Sequence, residues 1–481
     1  MTKPAPLLLT PAEMQLVTGG HWRHLPAEGS LQPTGINFFL PRVKPGDLFF
    51  CNEIEETAVR RLVGKAFRRG AVAALVRQGM LADGHYPVLE VADPDKALQD
   101  MALASSLKFD GTRVLVTGSH GKTAFKTQLH HLIQDQIPAS AYLGSANKKI
   151  PVYRALVDIA TDARVVIVEV AVPGRGIGEE RAFFVRPDYC VITGIAPEHL
   201  SSHKSMDRLI RNKAGVVRGL RPGGSCLLPA DDPHFDALEH AVREAAACEI
   251  FTFGSTPRCD GRLLAADFAG RRWRVRAEIL GEPIEYDLPL LERYAPLTSV
   301  GVLLQARLLG ADLARCVPAY GDYRNYRSSG NLYRVPCGKG SFLLYDQSVR
   351  AELKGFESMF ELMSRLHPEG GGRKIVVMSE FFDIADNPGV EIDYGRMRAV
   401  MEKAGIDILY TIGDFKQHGE ALPPAVNWRL HGAVTAEIFE DVLATVKADD
   451  MVFLRADPPA GLDRLADALR AVGGDAVECL Y

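Results

Sequence analysis

The chain has 481 residues, a length that predicts two to four domains and excludes a single small binding module. Hydrophobic residues make up 47% and charged residues 24%, as in ordinary globular proteins, so wholesale disorder is excluded. The formal net charge of −4 gives no electrostatic reason to expect a nucleic-acid partner or an anionic membrane surface. Any phosphate binding must therefore depend on a local motif.

The eight cysteines are scattered along the chain without a C-x-x-C pair, so they indicate reduced thiols rather than a zinc site or a disulfide framework. No stretch reaches the roughly 18 consecutive apolar residues of a membrane span. We therefore expect a cytoplasmic protein with no membrane partner.

The pattern of strands and helices predicts an α/β fold in three domains. In the small N-terminal domain, residues 1–109, short apolar strands alternate with helices. In the central domain, residues 110–319, five buried-type strands separated by helices indicate a mostly parallel sheet covered on both faces, and an antiparallel hairpin follows. The C-terminal domain, residues 320–481, begins with a linker and repeats the alternation, which is typical of a Rossmann-like, doubly wound sheet.

The segment VLVTGSHGKT, residues 114–123, has the pattern of a phosphate-binding loop between a buried strand and a helix. Glycines at 118 and 121 let backbone N–H groups turn inward around Ser119 and His120, Lys122 can reach the outer phosphates, and Thr123 can bind Mg²⁺. The spacing is T-G-x-x-G-K-T, shorter than the standard G-x-x-x-x-G-K-[ST]. An ordinary strand-to-helix turn is the alternative, but the GKT triplet after a hydrophobic strand favours binding of a nucleoside triphosphate.

Three further residues, which follow this loop in the sequence, add weaker signals. Glu169 ends the strand RVVIVEV, at the sheet edge where a carboxylate suits Mg²⁺, although such a glutamate is more often structural or solvated. His199 follows the next strand and could equally be a packing residue. Lys213 lies among apolar neighbours in a helix, where a snorkelling surface lysine is the commoner case.

Together, the order and spacing of these motifs resemble the muramyl (Mur) ligase family, ATP-dependent enzymes that add amino acids to cell-wall precursors. The spacing of His199 and Lys213 is similar to that of the member that adds D-alanyl-D-alanine. The resemblance spans nearly the whole chain, and the residues that carry it are TGSHGKT at 117–123, Lys126, Glu169, His199, Lys213, Asp231, Asp232 and Asp346.

The resemblance implies a reaction in which ATP phosphorylates a carboxylate and an amine attacks the acyl phosphate to give an amide. It implies that residues 118–123 and Asp346 bind ATP, with Asp346 on the ribose. It further implies that Thr123 and Glu169 hold one Mg²⁺ ion and that His199 and a carbamylated Lys213 hold a second metal. Lys122, His199 and Lys213 are the catalytic candidates, and the expected partners are a small-molecule carboxylate and an amino acid or dipeptide.

Two departures bear on the substrates. The first domain reads CNEIEETAVRRLVGK where the family carries the S-x-D-S-R or D-G-H elements that recognise a uridine diphosphate sugar. Cations such as Arg42 and Lys44 are candidates for binding an anionic acceptor, but such residues are more often plain surface charges. The third-domain lysine-glycine-serine reads Arg455-Ala-Asp457, so the amine side is least like the family. We therefore expect a ligase acting on an acid without a uridine diphosphate group. The alternatives are D-alanyl-D-alanine addition in peptidoglycan synthesis and a nucleotide-binding pseudoenzyme, and no oligomeric state is predicted.

Overall fold

The structure is a computed structural model that describes residues 4–27, 29–81, 85–144, 149–349, 353–379, 393–413, 415–424, 426–456 and 460–480. The chain divides into two compact units, which are described separately. The first comprises Met1–Ile195, Asp207–Phe253 and Val302–Cys316, and the second comprises Ala196–Met206, Gly254–Gly301 and Val317–Tyr481.

The strands, in chain order, are β1 His21–Arg23, β2 Gly35–Asn37, β3 Asp47–Phe50, β4 Ala73–Arg77, β5 Val88–Val91, β6 Thr112–Thr117, β7 Ala139–Ala141, β8 Val165–Glu169, β9 Tyr189–Ile192, β10 Ser225–Pro229, β11 Glu249–Gly254, β12 Gly261–Ala269, β13 Arg272–Ile279, β14 Glu282–Leu288, β15 Asn331–Cys337, β16 Gly340–Gln347, β17 Lys374–Ser379, β18 Ile408–Ile412, β19 Asn427–His431, β20 Met451–Arg455 and β21 Glu478–Cys479.

The α-helices are α1 Pro11–Thr18, α2 Glu56–Arg68, α3 Pro94–Lys108, α4 Lys122–Ile133, α5 Lys149–Val157, α6 Ile177–Val185, α7 Leu200–His203, α8 Met206–Ala214, α9 Phe235–Ala245, α10 Ala295–Leu308, α11 Leu313–Ala319, α12 Leu353–Arg365, α13 Tyr394–Ala404, α14 Ala436–Thr445 and α15 Leu462–Ala471.

The first unit begins with a five-stranded sheet in the order β1-β5-β4-β3-β2, parallel except for the antiparallel β1. Helix α2 buries Val59 and Val63 against Phe49 and Val76 of this sheet. The predicted strands and helices of this region are present with ends shifted by up to three residues. The sequence reading missed β1 and β2, because three-residue strands are too short to show an alternating pattern.

A second group of strands in the first unit runs β11-β10-β9-β6-β8-β7, and every neighbouring pair is parallel. Strand β6 lies between β8 and β9 and is buried over Arg113–Thr117, which explains its uninterrupted apolar sequence. Because parallel strands end at one edge, Thr117, Glu169 and Ile192 lie at the same edge of the sheet, where open α/β sheets bind their ligands.

The second unit contains the predicted antiparallel hairpin, β13 and β14, extended by β12 into a three-stranded meander. Its C-terminal sheet has the order β19-β18-β17-β20-β16-β15-β21, with five parallel strands and an antiparallel edge of β15 and β21. Two apolar clusters include side chains from its strands, one with helices α12 and α13 and the other with α14 and α15. The sheet is therefore Rossmann-like but mixed, and its antiparallel edge was not predicted.

The boundaries expected at 109/110 and 319/320 remain predictions. All eight cysteines lie among the described residues, and all are free thiols, as predicted. None of the described helices combines the length and the apolar character needed to cross a bilayer.

Candidate active site

At two positions of the loop between β6 and α4, the backbone has a conformation that only glycine adopts without strain. Gly118 has φ 142°, and a Cβ there would lie 2.3 Å from the hydroxyl of Thr193, so a side chain is excluded by both conformation and space. Gly121 has φ 77° and lies directly before the first residue of α4. The Ser119 N–H donates to the carbonyl of Gly194 at 2.8 Å, which fixes the loop to the end of β9.

The predicted phosphate lysine folds back over this loop. The Lys122 ammonium donates to the carbonyls of Gly118 at 2.6 Å and Ser119 at 3.2 Å, and its side chain is largely buried. The ammonium therefore lies beside the loop and the N-terminus of α4, where backbone N–H groups and the helix dipole favour an anion.

Thr123 and Lys126, at the start of α4, form a buried cluster with Glu169, which ends the neighbouring strand β8. The Thr123 hydroxyl lies 3.0 and 2.9 Å from the two carboxylate oxygens of Glu169. The Lys126 ammonium donates to Glu169 Oε2 at 2.8 Å and to the carbonyl of Gly144 at 2.8 Å. The side chains of Lys126 and Glu169 are each 1% exposed, so this ion pair is shielded from water. The structure thus brings together Thr123 and Glu169, which were predicted as ligands of one metal.

The charge of Glu169 is maintained by its neighbours. Burial of the carboxylate favours the neutral form, but the ammonium groups of Lys126 and Lys122 and the Thr123 hydroxyl outweigh it, so the pKa of Glu169 is below its ordinary value. The carboxylate is therefore ionised at neutral pH despite its burial. An ionised oxygen donor is what a divalent cation requires.

The side chains present fit one Mg²⁺ ion. The Thr123 hydroxyl and the Glu169 carboxylate are hard oxygen donors on neighbouring elements, and Mg²⁺ commonly takes only one or two protein ligands together with phosphate oxygens and water. Among the described residues, no group of three or more His, Cys, Asp or Glu side chains could hold a metal by itself. The protein therefore supplies part of a coordination shell that nucleotide phosphates would complete.

Asp232 supports the loop after β9, a role that the sequence did not reveal. Its Oδ2 accepts from the N–H of Ile195 at 2.7 Å and its Oδ1 accepts from the N–H of His234 at 2.8 Å. The His120 ring packs so closely on Gly194, which has φ 153°, that a Cβ there would lie 2.8 Å from the ring. Asp232 thus holds Gly194–Ile195 beside the phosphate loop.

The two residues predicted for a second metal belong to different units. Lys213, in the first unit, lies on α8 with a side chain 1% exposed. His199, in the second unit, has the left-handed backbone φ 49° and ψ 40° and is half exposed, with its Nε2 3.9 Å from Glu198 Oε1. Their joint metal role stays a prediction.

Asp346, predicted to hold the ATP ribose, is completely buried in the second unit. Its Oδ1 accepts from the N–H of Ser348 at 3.1 Å and from the Ser348 hydroxyl at 2.7 Å, and its Oδ2 accepts from the Ser328 hydroxyl at 3.0 Å and from Arg470 at 2.6 Å. These bonds show a structural role for Asp346, which the sequence did not indicate. The ribose contact remains a prediction.

Arg455, a departure from the family pattern in the second unit, lies in a tightly packed network that also includes Gln347, Tyr345 and Glu292. The Glu292 carboxylate accepts from the Tyr345 hydroxyl at 3.2 Å, and a Cβ at Gly330 would lie 2.0 Å from Glu292 Oε1. Arg455 is buried and donates to the side-chain oxygen of Gln347. Asp457, the last residue of the divergent Arg455-Ala-Asp457 segment, lies outside the described residues.

The chain is similar to known proteins over most of its length. A family model described as the Mur ligase middle domain matches residues 116–293. The UDP-N-acetylmuramoyl-tripeptide--D-alanyl-D-alanine ligase of Rickettsia prowazekii is 19% identical over 433 residues, which cover 90% of this chain and 94% of that protein. A crystal structure of MurF from Acinetobacter baumannii has a TM-score of 0.75 at 18% identity and covers 98% of this chain and 100% of its own. MurF from Thermotoga maritima in complex with ADP has a TM-score of 0.67 at 18% identity and covers 91% and 97%.

These findings confirm the predicted α/β fold class and the predicted resemblance. The chain contains a Mur ligase middle domain, and that domain includes the phosphate loop from Val116 onward, Glu169, His199 and Lys213. The chain accordingly resembles the ATP-dependent amide ligases of the Mur type over most of its length.

Proposed function

We propose that this protein joins an acceptor carboxylate to the amine of an amino acid or dipeptide, using ATP and passing through an acyl phosphate. The observation that carries the proposal is the buried cluster of Thr123, Glu169 and Lys126 beside the phosphate loop. An ionised glutamate and a threonine hydroxyl at this edge of the sheet provide metal and phosphate ligands and leave the reacting carboxylate to the substrate.

The residues of the first unit would divide the work as follows. The backbone N–H groups of the loop and the ammonium of Lys122 would bind the outer phosphates of ATP, as at other helix N-termini that follow glycine loops. Thr123 and Glu169 would hold Mg²⁺, which when bound neutralises phosphate charge as a carboxylate approaches. Lys126 keeps Glu169 ionised and oriented, so it acts as a positioning residue.

Lys213 and His199 would serve the acceptor side. A carbamate on the nearly fully buried Lys213 would change a buried cation into an anionic metal ligand, and a metal ion beside it would compensate the buried negative charge. His199 would contribute a ring nitrogen as a metal ligand. Asp346 would take the ribose only if its present hydrogen bonds rearranged.

For the acceptor, we favour the substrate named for the Rickettsia relative, a UDP-N-acetylmuramoyl-tripeptide, with D-alanyl-D-alanine as the amine. The support is an alignment over 90% of this chain, which extends well beyond the central domain. A different acid and amine form the second candidate. It is supported by the missing S-x-D-S-R and D-G-H elements and by Arg455 at a position where the family carries lysine.

The test is phosphate release from ATP and Mg²⁺ with purified protein and a panel of acids and amines. We expect release only when a matched acid and amine are both present, and mass spectrometry should detect their amide. Lys122→Ala is expected to lower kcat by about 100-fold or more, since a positioned charge at the transferred phosphate is lost. Tight ATP binding without turnover for any pair would contradict the proposal and favour the pseudoenzyme.

A further inference from the structure

A buried arginine that the motifs do not include lies close to the Glu169 cluster. Arg154, on helix α5, is 5% exposed, and its guanidinium carbon lies 4.3 Å from the ring centre of Tyr142 and 5.4 Å from that of Phe38. Tyr142 also lies next to the cluster of Thr123, Glu169 and Lys126, because the Lys126 ammonium lies 5.9 Å from the centre of the same ring. One tyrosine therefore links Arg154 to the ion pair that holds Glu169.

The guanidinium of Arg154 is not satisfied within the described part of the chain. Its Nε is buried without a hydrogen-bond partner, and none of the described carboxylates forms an ion pair with it. Asp158 directly follows α5, four residues after Arg154, and its Oδ1 accepts from the N–H of Ile36 at 2.9 Å. Burial raises the pKa of Asp158, and the neighbouring Arg154 acts in the opposite direction.

Two other buried arginines of the same unit have carbonyl acceptors for part of the guanidinium, although the Nε of Arg113 is also without a partner. Arg113 donates to the carbonyls of Gly111, Ser106 and Phe109, and Arg181 donates to the carbonyl of Ala171. A guanidinium carries five N–H donors, and burying them without acceptors is costly, so such groups nearly always find partners. Arg154 has two aromatic rings instead, which stabilise the cation without using its in-plane donors.

The surroundings of Arg154 are accessible and suited to a ligand. Phe38 is 36% exposed and Phe39 is 52% exposed. Arg42 lies 5.8 Å from the ring centre of Phe39, and its guanidinium donates to the Tyr142 hydroxyl. Arg42 and Arg154 thus both contact Tyr142, and each also lies over one of the two exposed phenylalanines.

We propose that Arg154 anchors a second, non-reacting anionic group of the acceptor, a phosphate or a carboxylate, while the reacting carboxylate lies at the Glu169 cluster. That the ligand of Arg154 is the acceptor rests on the proposed function. The planar fork of the guanidinium matches both phosphate and carboxylate, and stacking between Phe38 and Tyr142 holds it in place before the ligand arrives.

The first experiment measures anion binding without turnover. Protein saturated with ADP and Mg²⁺, so that the phosphate loop is filled, is titrated with inorganic pyrophosphate and, separately, with glutarate by isothermal titration calorimetry. We expect the wild type to bind one of the two probes, and Arg154→Gln to bind it at least about 10-fold more weakly, because a charge-assisted bond is lost. The probe that binds shows whether phosphate or carboxylate is preferred.

The control is Arg164→Gln, which removes the same charge from an exposed residue that precedes β8 at its opposite end and should bind as the wild type does. Arg154→Lys is the second variant, since it keeps the charge and so protects the fold but lacks the planar fork, and we expect it to bind several-fold more weakly. Equal affinity of the wild type and both Arg154 variants, or no binding of either probe to the wild type, would overturn the proposal.

The second experiment separates this inference from the proposed function. In the ligase assay, Arg154→Gln should raise the KM for the acceptor and leave the KM for ATP unchanged. If the wild type turns over no acid of the panel and still binds a probe through Arg154, the proposed ligase reaction fails and the anion site stands. If the wild type is an active ligase and the acceptor KM does not respond to Arg154, the anion site fails alone.

Discussion

Lys126 and Glu169 form an ion pair that is 2.8 Å long and has both side chains 1% exposed. The pair joins α4, which follows the phosphate loop, to the end of the neighbouring strand β8. Breaking a buried pair by removing one partner leaves an uncompensated charge, whereas an exposed pair contributes little. The pair therefore couples the stability of the central sheet to the geometry of the candidate metal ligands.

Replacing Lys126 tests that coupling. Lys126→Met should lower the free energy of unfolding by about 3–5 kcal/mol, because Glu169 stays buried without its cation, and should reduce ATP turnover as well. Urea unfolding followed by circular dichroism measures the loss. Lys149→Met, at a surface lysine of α5, is the control and should change stability by less than about 0.5 kcal/mol. An unchanged free energy of unfolding in Lys126→Met would show that the ion pair does not stabilise the sheet.

The pH dependence of stability follows from the lowered pKa of Glu169. A carboxylate whose pKa is lower in the folded than in the unfolded protein stabilises the fold above its ordinary value of 4.5 and loses that contribution as pH falls through the folded-state value. The stability difference between the wild type and Glu169→Gln should therefore be constant at neutral pH and shrink below about pH 4.5. Unfolding curves at a series of pH values measure it, and a pH-independent difference would contradict the assignment.

The conformation of Gly118 predicts a further effect. Gly118→Ala places a Cβ 2.3 Å from the Thr193 hydroxyl at a backbone φ of 142°, so the loop must move away from β9. We expect nucleotide affinity to fall at least about 10-fold, with a stability loss of about 1–3 kcal/mol. Gly174→Ala is the matched control, because the nearest atom to a Cβ there is 3.8 Å away. Unchanged affinity for ADP in Gly118→Ala would argue against this loop as the phosphate site.

The proposed carbamate on Lys213 can be tested through its chemistry. Because the modification comes from CO₂, ligase activity should fall in buffer freed of CO₂ and return when bicarbonate is added, whereas Lys213→Ala should be inactive in both. Lys213→Arg preserves a cation of similar length but is not expected to restore activity. Activity that is independent of bicarbonate, or survives in Lys213→Ala, would remove the carbamate from the mechanism.

Substitution of Asp346 distinguishes a structural role of this residue from a role in ligand binding. Asp346→Asn removes the negative charge that Arg470 contacts at 2.6 Å, so the second unit should lose about 3–5 kcal/mol of stability. A rise in the KM for ATP without a loss of stability would instead support the ribose contact. Thermal unfolding and ATP kinetics on the same preparation decide between the two.

The sequence by itself determined the local parts of this protein. The apolar runs of β6, β8 and β10, and the glycines and GKT triplet at 118–123, depend on short-range sterics and burial, so their positions could be predicted within a few residues. The family resemblance then followed from the order of the motifs. Strands β2 and β15 were missed although each pairs with the next strand in the chain, because β2 has only three residues and burial along β15 does not alternate.

Only the tertiary structure decided how distant side chains meet. Lys126 was visible in the sequence without a role, and it received one when parallel pairing brought the end of β8 beside α4. Asp232 and Asp346 likewise gained hydrogen-bond partners far along the chain. Arg154 carried no motif at all, and what distinguishes it, a buried guanidinium between two rings with no acceptor in the described chain, arises from packing among three separate segments. Burial and long-range pairing are properties of the folded chain, and residue spacing does not encode them.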